Sequence, residues 1–112
     1  MPELAELKYT ADFINESSRL EKFTRVEKNP SHKGSELDIP FRKFKLSAES
    51  RGKEIVLTVS DVDSNQTIPI RMTMGMSGHF KLTNTGQEPK HAHLKFYTDD
   101  GVTLSFVDVR RF

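Results

Sequence analysis

The sequence predicts an α+β domain: one N-terminal helix packed on an antiparallel β-sandwich of the eight-stranded type. Three observations carry this reading. Apolar residues recur every three or four positions over residues 2–16, and beyond Ser17-Ser18 the period changes to two. The period-two stretches are short and are separated by Gly-, Pro- and Asp-rich breaks. The 112 residues suffice for one modest core, so 1–112 is read as a single domain without internal repeats.

The helix carries Leu4, Leu7, Ala11 and Ile14 as its apolar stripe. Pro2 suits a first helical position, and Glu3 and Glu6 suit the positive end of the helix dipole. Spaced i, i+3, the two glutamates share a face. Leu20 to Glu27 is a first strand, and 29–40, with two prolines, Gly34, Ser31 and Ser35, is a long loop. Phe44 to Ser50 and Glu54 to Ser60 flank a turn at Arg51-Gly52-Lys53, and Asp61 to Gln66 is a polar turn. Ile68, Ile70, Met72 and Met74 alternate as a half-buried strand until Gly75-Met76-Ser77-Gly78 breaks it. Next, Ala92, Leu94 and Phe96 face the core while His91, His93, Lys95 and Tyr97 face away. Asp100-Gly101 signals a hairpin, and Val102, Leu104 and Phe106 return along the core face.

Composition limits the function classes. Hydrophobic residues at 35% and charged residues at 29% are those of a soluble folded domain. No apolar run approaches the roughly 20 residues that span a bilayer, and the acidic N-terminus is not a signal peptide. Without cysteine there is no disulfide, thiolate zinc site or cysteine nucleophile. A net charge of +1 advertises no nucleic-acid binding by itself, so any DNA site is a local basic face.

Several groups have chemical meaning as well as a plain structural one. With Met1 removed, Pro2 is a secondary amine able to form an iminium. Chain-terminal amines have a pKa of roughly 7.7–8.0, against about 10.4 for lysine, so such an amine is the better Schiff-base nucleophile. Glu3 could shuttle the protons. The plain alternative is a helix that merely starts well. Arg51-Gly52-Lys53 aims two cations outward around a residue that permits close backbone approach, or is a solvated turn. Met76 between glycines could wedge into a base stack, or end an irregular strand in the core. His91 and His93, at i, i+2, lack a third ligand, so no metal or other cofactor is expected; they form a polar face toward a phosphate backbone, or are simply solvated. Arg110-Arg111-Phe112 offers phosphate, base-edge and stacking contacts, and is weak alone.

In order along one chain, Pro2-Glu3…Glu6, Arg51-Gly52-Lys53, Gly75-Met76-Ser77-Gly78, Lys90-His91-Ala92-His93 and Asp108-Val109-Arg110-Arg111-Phe112 resemble the N-terminal domain of the formamidopyrimidine-DNA glycosylase and endonuclease VIII family. The segments Phe13-Ile14-Asn15-Glu16, Arg51-Gly52-Lys53-Glu54, His91-Ala92-His93-Leu94 and Phe106-Val107-Asp108 resemble its animal endonuclease VIII-like branch. The resemblance covers essentially the whole chain. It implies a nuclear, monomeric base-excision repair enzyme, both glycosylase and AP lyase, acting on oxidised bases, chiefly pyrimidines, in double- or single-stranded DNA. It implies Pro2 as the nucleophile at C1′, Glu3 as general acid/base, Glu6 in support and Lys53 near the lesion strand. It further implies Met76, Arg110 and Phe112 as fillers of the void left by the flipped base. Arg51 and His91 join them as DNA contacts.

Leu4-Ala5 departs from the family's usual Gly-Pro or Leu-Pro at that place. The sequence stops at Phe112, before the glycine and the helix–two-turn–helix half that the family carries next. The expectation is a fragment that binds DNA weakly and excises little alone. A retained Met1 would make the Pro2 nitrogen an amide and block the chemistry. Two rivals remain: a DNA-binding sandwich without activity, and an N-terminal-proline tautomerase. The second normally starts with proline leading into an apolar strand, whereas Pro2 here leads into an acidic helix.

Overall fold

A computed structural model describes residues 4–19, 21–28, 39–73 and 78–108, with the side chains of 4–6 excepted. The first element, α1 (Leu4–Ser18), buries Leu7, Ala11, Ile14 and Ser18, one residue per turn along a single stripe. Seven strands follow: β1 (Phe23–Lys28), β2 (Phe44–Arg51), β3 (Glu54–Asp61), β4 (Thr67–Thr73), β5 (His79–Asn84), β6 (Ala92–Thr98) and β7 (Val102–Val107). All pairings are antiparallel, in the order β4-β3-β2-β1-β6-β7-β5. The expected eight strands are therefore seven among the described residues.

This sheet cannot lie flat. Seven strands at roughly 4.8 Å spacing would hold β4 and β5 roughly 29 Å apart. Yet the chain passes from Thr73 to His79 in six peptide steps, at most roughly 22 Å. β1 and β2 share one register pair, Phe23–Phe44, and there the sheet divides into a three-stranded and a four-stranded half. Their inner faces share one core with α1: Leu46, Ile55, Leu57 and Val59 from one half, Phe96, Leu104 and Phe106 from the other. Phe23 stacks on Phe44 with ring centroids 5.9 Å apart and meets Phe96 edge-on at 6.1 Å. Each such contact adds roughly 0.5–1.5 kcal/mol at the corner.

Three sequence expectations change. β1 starts at Phe23 rather than residue 20, because the Glu21 amide donates to Ser18 O (3.1 Å) and closes a turn after the helix. β5 is a strand that the periodicity does not assign. The outward face of β6 is not wet: the whole strand is buried except for half-buried Lys95. Its register slips between Ala92 and Leu94. At that bulge His93 is 1% exposed, with Nε2 2.5 Å from the carbonyl oxygen of Asp108. Tyr97 is covered by the Arg25 guanidinium, 4.0 Å from its ring centroid, and donates its hydroxyl to Glu27 (3.2 Å). Burial and the Glu27 carboxylate raise its phenol above the usual range. The loop predicted over 29–40 falls mostly outside the described residues.

Candidate nucleic-acid interface

Antiparallel pairing sorts the strand ends into two groups. Phe44, Asp61, Thr67, Asn84, Thr98 and Val102 lie at one end of the domain. Arg51, Glu54 and Thr73 of one half lie at the other. His79, Ala92 and Val107 of the second half join them there, because the halves fold back at the Phe23–Phe44 corner and only six peptide steps separate Thr73 from His79.

Helix α1 reaches this second end too. Beyond Phe44, the edge of β2 that faces away from β3 has no strand partner among the described residues. Polar side chains of α1 take that place. Ser18 Oγ lies 2.5 Å from Ile14 O and 3.1 Å from Leu46 O, one hydroxyl shared by helix and strand. Asn15 Nδ2 donates to Ala48 O (2.9 Å), and Ala48 N donates to Asn15 Oδ1 (2.7 Å), as a neighbouring peptide would. Since Ser18 meets Leu46 and Asn15 meets Ala48, helix and strand run in opposite directions. From Asn15 the helix extends roughly 16 Å to Leu4, and from Ala48 the strand extends roughly 10 Å to Arg51. The positive end of the helix dipole and the β2–β3 turn thus share one end of the fold.

That turn is the predicted one. Arg51 pairs with Glu54, leaving Gly52-Lys53 as a two-residue loop. Gly52 has φ +58° and no non-glycine residue among those described, Lys53 included, has positive φ, so glycine takes the first central position of a type II′ turn. Arg51 and Lys53 are both exposed. Arg51 is ion-paired with Glu49, and Arg71 lies 3.8 Å from Glu54. Lys53 has no ion-pair partner among the described residues, so its charge is free to meet an anion.

Two further segments start here. Thr73 stands opposite Glu54, so the chain enters 74–77 beside the turn. It returns at Gly78, before His79, which pairs with Val107. Asp108 N donates to His91 O (3.2 Å), so half-buried His91 sits where the chain leaves β7 for residues 109–112. The structure therefore brings Arg51, Lys53 and His91 to one end. Pro2, Glu3, the Glu6 side chain, Met76, Arg110 and Phe112 lie outside the described residues; the nearest described residues, Leu4, Thr73, Gly78 and Asp108, lie at this end.

Sequence reasoning missed Asn15 and Ser18 as helix-to-strand ties. Their signal is two small polar residues three apart beside the apolar stripe. It also missed the reason for Gly78: a Cβ there would stand 3.2 Å from Phe106 Cε1 and 3.4 Å from Asp108 Oδ2. A depression of about 500 Å³ lined by Lys81, Leu82, Thr83, Asn84, Gln87 and Val102 opens at the opposite end of β5 and holds none of the predicted residues. Among the described residues no three His, Cys, Asp or Glu side chains gather as a metal site. No helix there is long and apolar enough to cross a membrane.

Comparison with known proteins identifies the family and the fold. Endonuclease 8-like 1 of Homo sapiens is 37% identical over 120 residues, a match covering 100% of this chain and 31% of that protein. The Mus musculus protein of the same name gives the same figures. A formamidopyrimidine-DNA glycosylase of Wolbachia pipientis is 30% identical over 119 residues, 42% of its length. The chain thus spans about a third of the length of the Endonuclease 8-like 1 relatives. The crystal structure of a viral DNA glycosylase superposes with a TM-score of 0.73 at 20% identity, over 96% of this chain and 38% of the other, which establishes the shared fold. The model of the formamidopyrimidine-DNA glycosylase N-terminal domain matches residues 1–112, and the chain belongs to that family.

Proposed function

We propose that this chain is the nucleophile-bearing domain of a DNA glycosylase/AP lyase that removes oxidised bases, chiefly pyrimidines, from DNA in the nucleus. One observation carries the reading. The segments leading to Pro2, Met76 and Arg110 end together beside the Arg51-Gly52-Lys53 turn, although they are far apart in sequence.

In the mechanism the Pro2 amine, freed of Met1, attacks C1′ of the damaged nucleotide. The glycosidic bond breaks and the base leaves with a proton. Glu3 protonates the sugar ring oxygen as the ring opens, and C1′ and nitrogen become an iminium. Loss of a C2′ proton then expels the 3′ phosphate, cutting the strand, and water releases the amine. The positive end of α1 disfavours protonation of the amine, while Glu3 and Glu6 favour it, so these terms oppose one another. Lys53 and Arg51 hold the lesion-strand phosphates, with His91 as a neighbouring contact. Met76 and Phe112 fill the stack, and Arg110 pairs with the orphaned base.

The enzyme acts as a monomer on double- or single-stranded DNA and needs no cofactor. Residues 1–112 supply one wall of the DNA cleft, so alone they bind weakly and cut little. Incubating the full-length protein with duplex carrying one oxidised pyrimidine tests this: base release followed by strand scission is the expected result. Tight binding without base release would favour a DNA-binding sandwich that has lost the activity. A clear gel shift by residues 1–112 alone, at submicromolar concentration and physiological salt, would contradict the one-wall account.

A further inference from the structure

We infer that Asn15 is a positioning residue for this chemistry: its side-chain amide sets the station of α1 along β2, and thereby the distance from the N-terminal end of α1 at Leu4 to the Lys53 turn. The inference rests on the functional reading above.

Among the described residues the edge of β2 beyond Phe44 has no strand partner, so no ladder there fixes how far the helix lies along it. The apolar stripe of Leu7, Ala11 and Ile14 tolerates small slides, because hydrophobic contact is non-directional. A hydrogen-bond pair is directional. The Asn15 amide both donates to and accepts from one residue, Ala48, at 2.9 and 2.7 Å. Sliding the helix by a fraction of a turn breaks both bonds at once. Ser18 adds a second tie at Leu46, but its hydroxyl is shared with the helix carbonyl of Ile14 and fixes the strand less tightly. Asn15 lies about three turns from Leu4, the start of α1, so it acts through geometry alone. Displacing a reacting group by about 1 Å can cost roughly 100-fold in rate.

Two measurements test this. The first is single-turnover borohydride trapping by the full-length protein on abasic DNA. Asn15→Ala should trap roughly 10- to 100-fold more slowly, with DNA affinity nearly unchanged. Asn15→Asp, which keeps the acceptor for Ala48 N–H, should recover part of the rate. Val59→Ala removes core bulk toward the far end of β3 and serves as the comparison for lost stability. Equal slowing in Asn15→Ala and Val59→Ala, or a loss found entirely in affinity, overturns the inference. The second places spin labels at Tyr9→Cys and Lys53→Cys in the full-length protein, with any cysteine outside residues 1–112, which hold none, replaced by serine. Tyr9 is 75% exposed on α1, so the label disturbs little. The label–label distance distribution should broaden or shift in Asn15→Ala, and an unchanged distribution overturns the inference whatever the activity. Wild-type protein that traps nothing while the labels still respond to Asn15→Ala refutes the functional reading and leaves the positioning intact.

Discussion

The ring of Phe106 occupies the space that a side chain at Gly78 would need, with the nearest ring carbon 3.2 Å from the Cβ position. Phe106 is fully buried and also meets Phe80, with centroids 5.3 Å apart, so it has little room to yield. Gly78→Ala should therefore lower stability by about 1–3 kcal/mol, the usual cost of overpacking. Chemical denaturation reads the loss. Because Gly78 closes the segment that carries Met76, the full-length variant should also lose excision activity beyond its loss of folded fraction. An Ala variant as stable as wild type would contradict the close approach.

His93 separates the observed β6 from the wet face that its sequence suggests. Buried at the bulge, it holds the Asp108 carbonyl just beyond the end of β7. His93→Ala leaves that carbonyl without this ring nitrogen, at a cost of about 1–3 kcal/mol. A solvated histidine would cost almost nothing, so equilibrium unfolding decides between the two.

Lys53 and Arg51 should differ in their contribution to DNA binding. Glu49 already neutralises Arg51, whereas Lys53 has no ionic partner among the described residues. In the full-length protein, Lys53→Ala should weaken binding evenly across sequences. It should also reduce the slope of log K against log salt by about one. Arg51→Ala should change the slope less. Equal slopes for Lys53→Ala and wild type would remove Lys53 from the phosphate contacts.

At the opposite end, Glu21 has a raised carboxyl pKa, first through burial, then through the charge and hydrogen bonding of Asp100 in the β6–β7 turn. A raised carboxyl pKa means that the folded state holds the proton more tightly. The stabilisation this gives is present below the ordinary glutamate value and is lost as pH rises through the raised one. Glu21→Gln should therefore raise Tm at pH 7, and the gain should vanish by about pH 4. An equal gain at both pH values would show that charge is not the cause.

The legible parts of this fold were those where a local period meets a single buried face. Leu7, Ala11 and Ile14 mark α1, and β2 and β3 follow their alternation to within a residue. β5 escaped because it is an edge strand: Phe80 is its one buried residue and Leu82 is 39% exposed, so its period-two contrast is faint. β6 misled for the opposite reason. It lies between β1 and β7 with both faces covered, and its polar residues are paired rather than solvated, as Lys95 is with Glu27 (3.8 Å) and Glu88 (3.9 Å). The Arg51–Lys53 turn was legible because glycine must supply its positive φ. The gathering of Lys53, His91 and Gly78 at one end was not, because it depends on strand register across the whole chain.

The central claim is that the nitrogen of residue two is the nucleophile. Borohydride reduction of the full-length protein, Met1 removed, on abasic-site DNA tests it most directly. The account predicts a covalent adduct whose peptide mass maps to the Pro2 nitrogen and which disappears when that nitrogen is blocked. No adduct, or an adduct mapped to a lysine side chain, would contradict it.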